Sequence, residues 1–208
     1  MDVPNMDSLE DVARQVRSCT DCPLSGSRTN AVPGEGPADA EIMFIGEGPG
    51  FHEDRLGRPF VGPAGQFLEA LLADAGLRRD RVFIANMVKC RPPNNRDPLP
   101  AETAACSKYL DRQIELIDPK VIVTLGRFSM SKFFPRESIS KARGRARPVG
   151  GRLVYPMMHP AAALHRNELK ATIMEDFRAI PGLLVETPAV QEQGGEGGDD
   201  QGQQLSMF

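Results

Sequence analysis

The sequence predicts an α/β fold, a three-layer sandwich in which a mainly parallel, four-stranded central sheet is flanked by helices. Two observations carry this. The runs EIMFIG (41–46), RVFIANMV (81–88), KVIVTLG (120–126) and RLVYPMM (152–158) are mostly continuously apolar, as strands buried on both faces are. Helical patterns lie between them, and strands alternating with helices form parallel sheets whose ligands bind at the carboxyl ends of the strands.

The first helical pattern, AGQFLEALLADAG (64–76), closes on a Gly stop signal, and AETAACSKYLDRQIELID (101–118) starts after Pro100 and ends before Pro119. Further helices are expected over 126–134 and around 167–180. A chain of 208 residues suits one well-cored domain with tails, placed at residues 1–186. Residues 187–203 (TPAVQEQGGEGGDDQGQ) are rich in Gly, Gln and acids with almost nothing to bury, and read as a disordered linker. Residues 204–208 form a short terminal peptide.

The net charge of −3 conceals an asymmetry. Residues 186–208 hold five acids and no base, so the preceding residues carry 23 acids against 25 bases, a balance of +2. That balance permits nucleic-acid binding without arguing for it, because affinity depends on how charge is arranged. No stretch approaches the ~20 apolar residues that span a bilayer. The opening MDVPNMDSLEDV lacks the basic start and apolar core of a secretory signal. A cytoplasmic monomer without membrane attachment is the expectation.

Cys19 and Cys22 form a C-x-x-C pair, while Cys90 and Cys106 stand apart with 15 residues between them. Four thiolates suffice for a tetrahedral zinc site or a 4Fe-4S cluster. Zinc ribbons usually use two close C-x-x-C pairs, so one pair plus two separated cysteines favours the cluster. The contexts Cys22-Pro23 and Cys90-Arg91-Pro92-Pro93 are loops suited to ligands.

Directly after the first strand comes GEGPGFHEDRLGRPFVGPAG (46–65), whose glycines let backbone approach a ligand closely. It is not a dinucleotide fingerprint, because Phe51 stands where G-x-G-x-x-G needs Gly, and it is not a Walker loop, because no G-K-[ST] follows. The second strand ends at Asn86 and the fourth at His159-Pro160. Three strand ends thus bring Glu47, Asn86 and His159 to one side of the sheet.

At these residues the sequence resembles the family 4 uracil-DNA glycosylases of bacteria and archaea. The resemblance rests on the early C-x-x-C, GEGPGFHEDRLGRPFVGPAG, NMVKCRPPNNRDPLPAE, Cys106 and HPAAALHR, in the family's order and across almost the whole body. It implies that Cys19, Cys22, Cys90 and Cys106 hold a structural 4Fe-4S cluster. It also implies a uracil pocket made by Glu47, Gly48, Glu53, Phe60, Asn86, Asn95 and His159. A related enzyme that traps DNA covalently uses a His in a basic loop after the second strand; here that region reads CRPPNNRDPLP and has none. A non-catalytic iron-sulfur DNA-binding module would not need Glu47, Asn86 and His159 intact.

Excision requires the nucleotide to leave the stack, at a cost of about a few kcal/mol. Phe60 offers a face for uracil, and the Asn86 carboxamide matches its pairing edge. By resemblance Glu53 blocks the thymine methyl group. His159 is expected to bond the uracil oxygen that gains charge, while Glu47, with Glu53 sharing the role, orients water and stabilises the cationic sugar. Lys141, Arg143, Arg145 and Arg147 in KARGRAR are expected to meet phosphates. The loop Leu164-His165-Arg166 is expected to wedge into the vacated stack. The terminal Gln204-Leu205-Ser206-Met207-Phe208 resembles the peptide by which bacterial repair proteins bind the sliding clamp, with Gln204, Leu205, Met207 and Phe208 as contacts.

Overall fold

The computed structural model describes residues 6–186. The linker expected at 187–203 and the terminal peptide lie outside them.

The central sheet contains β1 (Ile42–Gly46), β2 (Phe83–Asn86), β3 (Val121–Leu125), β4 (Arg147–Val149) and β5 (Arg152–Met157), in the order β2-β1-β3-β5-β4. The four expected strands are all present and mutually parallel. β4 is a fifth, antiparallel to β5 at the edge of the sheet. It forms from the tail of the basic run, where Gly150 and Gly151 take positive φ and turn the chain back on itself.

The helices are α1 (Leu9–Ser18), α2 (Phe51–Leu56), α3 (Pro63–Asp74), α4 (Pro100–Ile117), α5 (Arg127–Ser131), α6 (Ile139–Ala142), α7 (Ala161–His165) and α8 (Leu169–Glu186). β1 is buried along its length because both faces are covered. Ile42 and Phe44 pack with Leu68 and Leu72 of α3 and Ile173 and Phe177 of α8. Met43 and Ile45, pointing the other way, pack with Leu110, Ile114 and Ile117 of α4. These are the three expected layers. A further apolar group joins Val12 and Val16 of α1 to Leu24, Val88 and Tyr109.

Four helices were not expected: α1, α2 and the short α6 and α7. In α1, Ser8 accepts a hydrogen bond from the Asp11 N–H and Val12 and Val16 face inward, a cap followed by apolar residues at helical spacing. α2 rises out of the glycine-rich loop because the Glu53 side chain, at the third helical position, turns back to the Gly50 N–H. Among the described residues no helix is long and apolar enough to cross a membrane.

Candidate active site

A cavity of about 860 Å³ opens at the carboxyl ends of the strands, within the size range of small-molecule sites. Glu47, Gly48, Glu53, Phe60, Asn86, Asn95 and His159 all line it.

Parallel pairing places Asn86 beside Gly46. A Cβ on Gly46 would lie 2.3 Å from the Asn86 Oδ1 and 2.7 Å from the Phe60 Cζ, so only glycine allows these two side chains to close over β1. Asn86 is 2% exposed, and its Oδ1 has no hydrogen-bond partner. An unpaired buried acceptor costs on the order of 1–3 kcal/mol unless a ligand satisfies it. The buried Lys89 ammonium anchors the same segment, donating to the Asn86 carbonyl and to the Gln113 Oε1 at 3.0 and 2.6 Å.

Phe60 adopts φ +50°, a conformation that side-chain-bearing residues rarely take. Arg79 donates to its carbonyl at 3.2 Å and to that of Pro59 at 2.6 Å. The α3 backbone comes so close that a Cβ on Gly65 would sit 2.1 Å from the Phe60 carbonyl. The Phe60 ring lies 5.6 Å from the His159 ring at an interplanar angle of 26°.

The His159 Nδ1 accepts the Ala161 N–H at 3.1 Å, which leaves the ring proton on Nε2. Burial lowers the pKa to about 4, with the Glu53 charge opposing the shift, so the imidazole is neutral at pH 7. Glu47 is displaced in the other direction. Burial raises it to about 7, the Asp97 carboxylate adds to the rise, and Arg127 opposes it. Asp97 and Arg127 pair with each other beside the cavity.

The model of the uracil DNA glycosylase superfamily matches residues 33–178. The chain is 52% identical to the type-4 uracil-DNA glycosylase of Sulfurisphaera tokodaii over 86% of each chain. It is 49% identical to that of Saccharolobus solfataricus, covering 95% of this chain and 96% of the relative, and 49% identical to that of Thermotoga maritima, covering 85% and 94%. This chain belongs to the type-4 uracil-DNA glycosylase family.

Not every expected residue of this family member stands free for its expected task. The Glu53 Oε1 accepts the N–H groups of Val61 and Gly62, both at 2.8 Å, and Oε2 accepts that of Gly50 at 3.1 Å. Its carboxylate thereby braces the cavity wall. In the basic run, Arg143 donates to both oxygens of Asp176 at 2.8 and 2.7 Å. Arg147 pairs with Glu137 at 2.6 Å and lies over the Phe134 ring. Both arginines are tethers between elements, because the half-buried guanidiniums there need carboxylate partners. Lys141 and Arg145 remain exposed, and none of the four lines the cavity. Leu164 is 50% exposed on the rim, which excludes a core position for it, and His165 lies beside it.

The four cysteines line one second, smaller cavity. Cys19 and Cys22 follow α1, Cys90 lies four residues beyond Asn86, and Cys106 is on α4. The Arg28 guanidinium donates to the Cys90 sulfur at 3.1 Å, and the Lys89 N–H to that of Cys106 at 3.3 Å. Such donors suit thiolates. Among the described residues, no three His, Cys, Asp or Glu side chains are grouped as one metal ion would require.

Arg79, Arg28 and the Asp97–Arg127 pair carried no signal in the sequence, since each acts on residues distant along the chain, and neither did Lys89, one of whose two partners, Gln113, is 24 positions away.

Proposed function

We propose that this protein excises uracil from DNA by hydrolysing the bond between uracil N1 and the sugar C1′, releasing free uracil and an abasic site. The observation that carries it is the pairing, in one cavity, of the unpartnered Asn86 Oδ1 with a neutral His159 whose Nε2 bears the proton.

Flipped uracil stacks on Phe60. Asn86 accepts the uracil N3–H on Oδ1 and donates from its amide to O4. Cytosine presents the reverse pattern along that edge, so a buried mismatch rejects it. As the C1′–N1 bond breaks, its electron pair passes to uracil, and the charge that gathers on O2 meets the His159 Nε2–H and the Gly48 backbone N–H. Water attacks C1′, and Glu47 takes its proton. Glu53, fixed by three backbone donors, supports this as a rigid wall against the thymine methyl group; the share in orienting water falls to Glu47.

The four cysteines fit a 4Fe-4S cluster, because they share one cavity and two of them receive N–H donors. When bound, the cluster supplies a covalent link between the α1 end, the Cys90 loop and α4. Leu164 serves as the wedge, with His165 and Arg166, while Lys141 and Arg145 are left to meet phosphates. Residues 1–186 act as the glycosylase domain and 187–203 as a tether carrying 204–208 to the sliding clamp. The protein works as a cytoplasmic monomer.

The test is alkali cleavage of labelled oligonucleotides carrying one uracil, cytosine or thymine at the same position. Many turnovers on uracil alone are expected. A protein that binds but leaves the strand alkali-resistant is a binding module, and one that stays attached to the strand is a trap.

A further inference from the structure

At one side of the cavity mouth the structure offers a surface that the mechanism does not use. Phe51 opens α2 and lines the mouth, yet it is 48% exposed, the only aromatic among the exposed large apolar side chains of the described residues. Two cations flank its ring: the Arg91 Cζ lies 5.3 Å from the centroid and the Arg55 Cζ 5.8 Å. Nearby Arg58, Arg79, Arg96 and Arg127 are each paired with a carboxylate. Among the described residues Arg55 and Arg91 have no such partner. Arg91 instead donates from Nε to the Asn95 Oδ1 at 2.8 Å, joining the surface to a residue of the cavity itself.

An exposed aromatic face flanked by unpaired guanidiniums has the chemistry of a single-strand nucleic-acid site, in which bases stack on rings and cations follow the phosphates. We propose that Phe51 is a stacking platform for the base next to the flipped uracil on the same strand, with Arg55 and Arg91 holding the adjoining phosphates. This rests on the cavity being the uracil site. Leu164 on α7 fills the gap that uracil leaves, whereas Phe51 receives a neighbour that is itself unpaired. The site therefore favours single-stranded or locally opened DNA.

A cycle between protein and DNA tests it. kcat/KM is measured for wild type, Phe51→Ala and Phe51→Trp on single-stranded oligonucleotides with one uracil. Each oligonucleotide has its 5′ neighbour, its 3′ neighbour or neither replaced by an abasic analogue. Removing one of the two neighbours should cost wild type about tenfold, the ~1.4 kcal/mol of one stacked base. Phe51→Ala should lose the same factor on the intact strand and nothing more when that neighbour is absent, while Phe51→Trp stays near wild type. Arg55→Ala should lower the salt slope of binding by about one, and Phe51→Ala should leave it unchanged. Losses that multiply for both neighbours, or a Phe51→Ala effect equal on duplex and single strand, would overturn the platform. Loss of all uracil release from wild type would instead overturn the reading of the cavity.

Discussion

The cavity at the strand ends and the cavity lined by cysteines are only three residues of chain apart, between Asn86 and Cys90, yet they are built on different principles. The first is held by the sheet: parallel register sets Asn86 against Gly46, and glycine backbone, Arg79 and Glu53 fix the rest. The second joins segments that no strand connects, namely the end of α1, the loop after β2 and one face of α4. A site made from strand ends inherits its rigidity from the core. A site made from excursions depends on what it binds.

Substitutions that strike one cavity at a time sharpen this contrast. The largest effect is expected from Gly65→Ala, whose new methyl group would overlap the Phe60 backbone. Uracil release should fall at least 10³-fold and stability by about 4 kcal/mol or more, while iron content stays unchanged. Iron analysis and a melting curve on one preparation decide it; retained activity would mean that the Phe60 conformation is not required.

Cys19→Ser with Cys22→Ser is the converse. With the proposed 4Fe-4S cluster held by these cysteines, its brown absorbance should vanish and the melting temperature fall, but the sheet core should remain folded and activity should drop less than for Gly65→Ala. Equal loss in both would show that the two cavities are one unit.

Glu47 provides the next effect. With its carboxyl raised to about 7 by burial and the base form required, the rate should climb as pH rises through 7 and then level off. Glu47→Gln should be about 10²-fold slower and flat with pH. Stability moves the opposite way: between the ordinary value of 4.5 and about 7 the folded state holds this proton more tightly than the unfolded chain, so the Glu47 contribution is lost as pH rises. His159, lowered to about 4 from 6.5, costs stability as pH falls through that window and adds no step to the activity profile above it. A profile without a limb near pH 7 would remove Glu47 from the proton's path.

The smallest effect belongs to Leu164→Ala. As an exposed rim residue it should leave the melting temperature unchanged and slow release from duplex several-fold more than from single strands.

The same contrast explains what the sequence disclosed. The four parallel strands were visible because both of their faces are buried, and Glu47, Asn86 and His159 because strand ends deliver ligands to one side. The glycine-rich loop signalled close approach of backbone to a ligand; what Gly46 and Gly65 admit is the protein's own Asn86 and Phe60, and the helix α2 within the loop gave no such signal. The KARGRAR run shows what charge alone leaves open: it does not separate a phosphate contact from a tether between elements, and Asp176 and Glu137, which pair with Arg143 and Arg147, lie outside the run. Arg79 was invisible because it acts on Phe60 nineteen positions earlier.

The central claim is that Asn86 and neutral His159 together release uracil, and turnover on a single-uracil duplex tests it most directly. Wild type is compared with Asn86→Ala and His159→Ala, each with its cluster absorbance intact. The account predicts at least 10²-fold slower release in both variants with the fold and iron retained. Wild-type rates in either variant would contradict it.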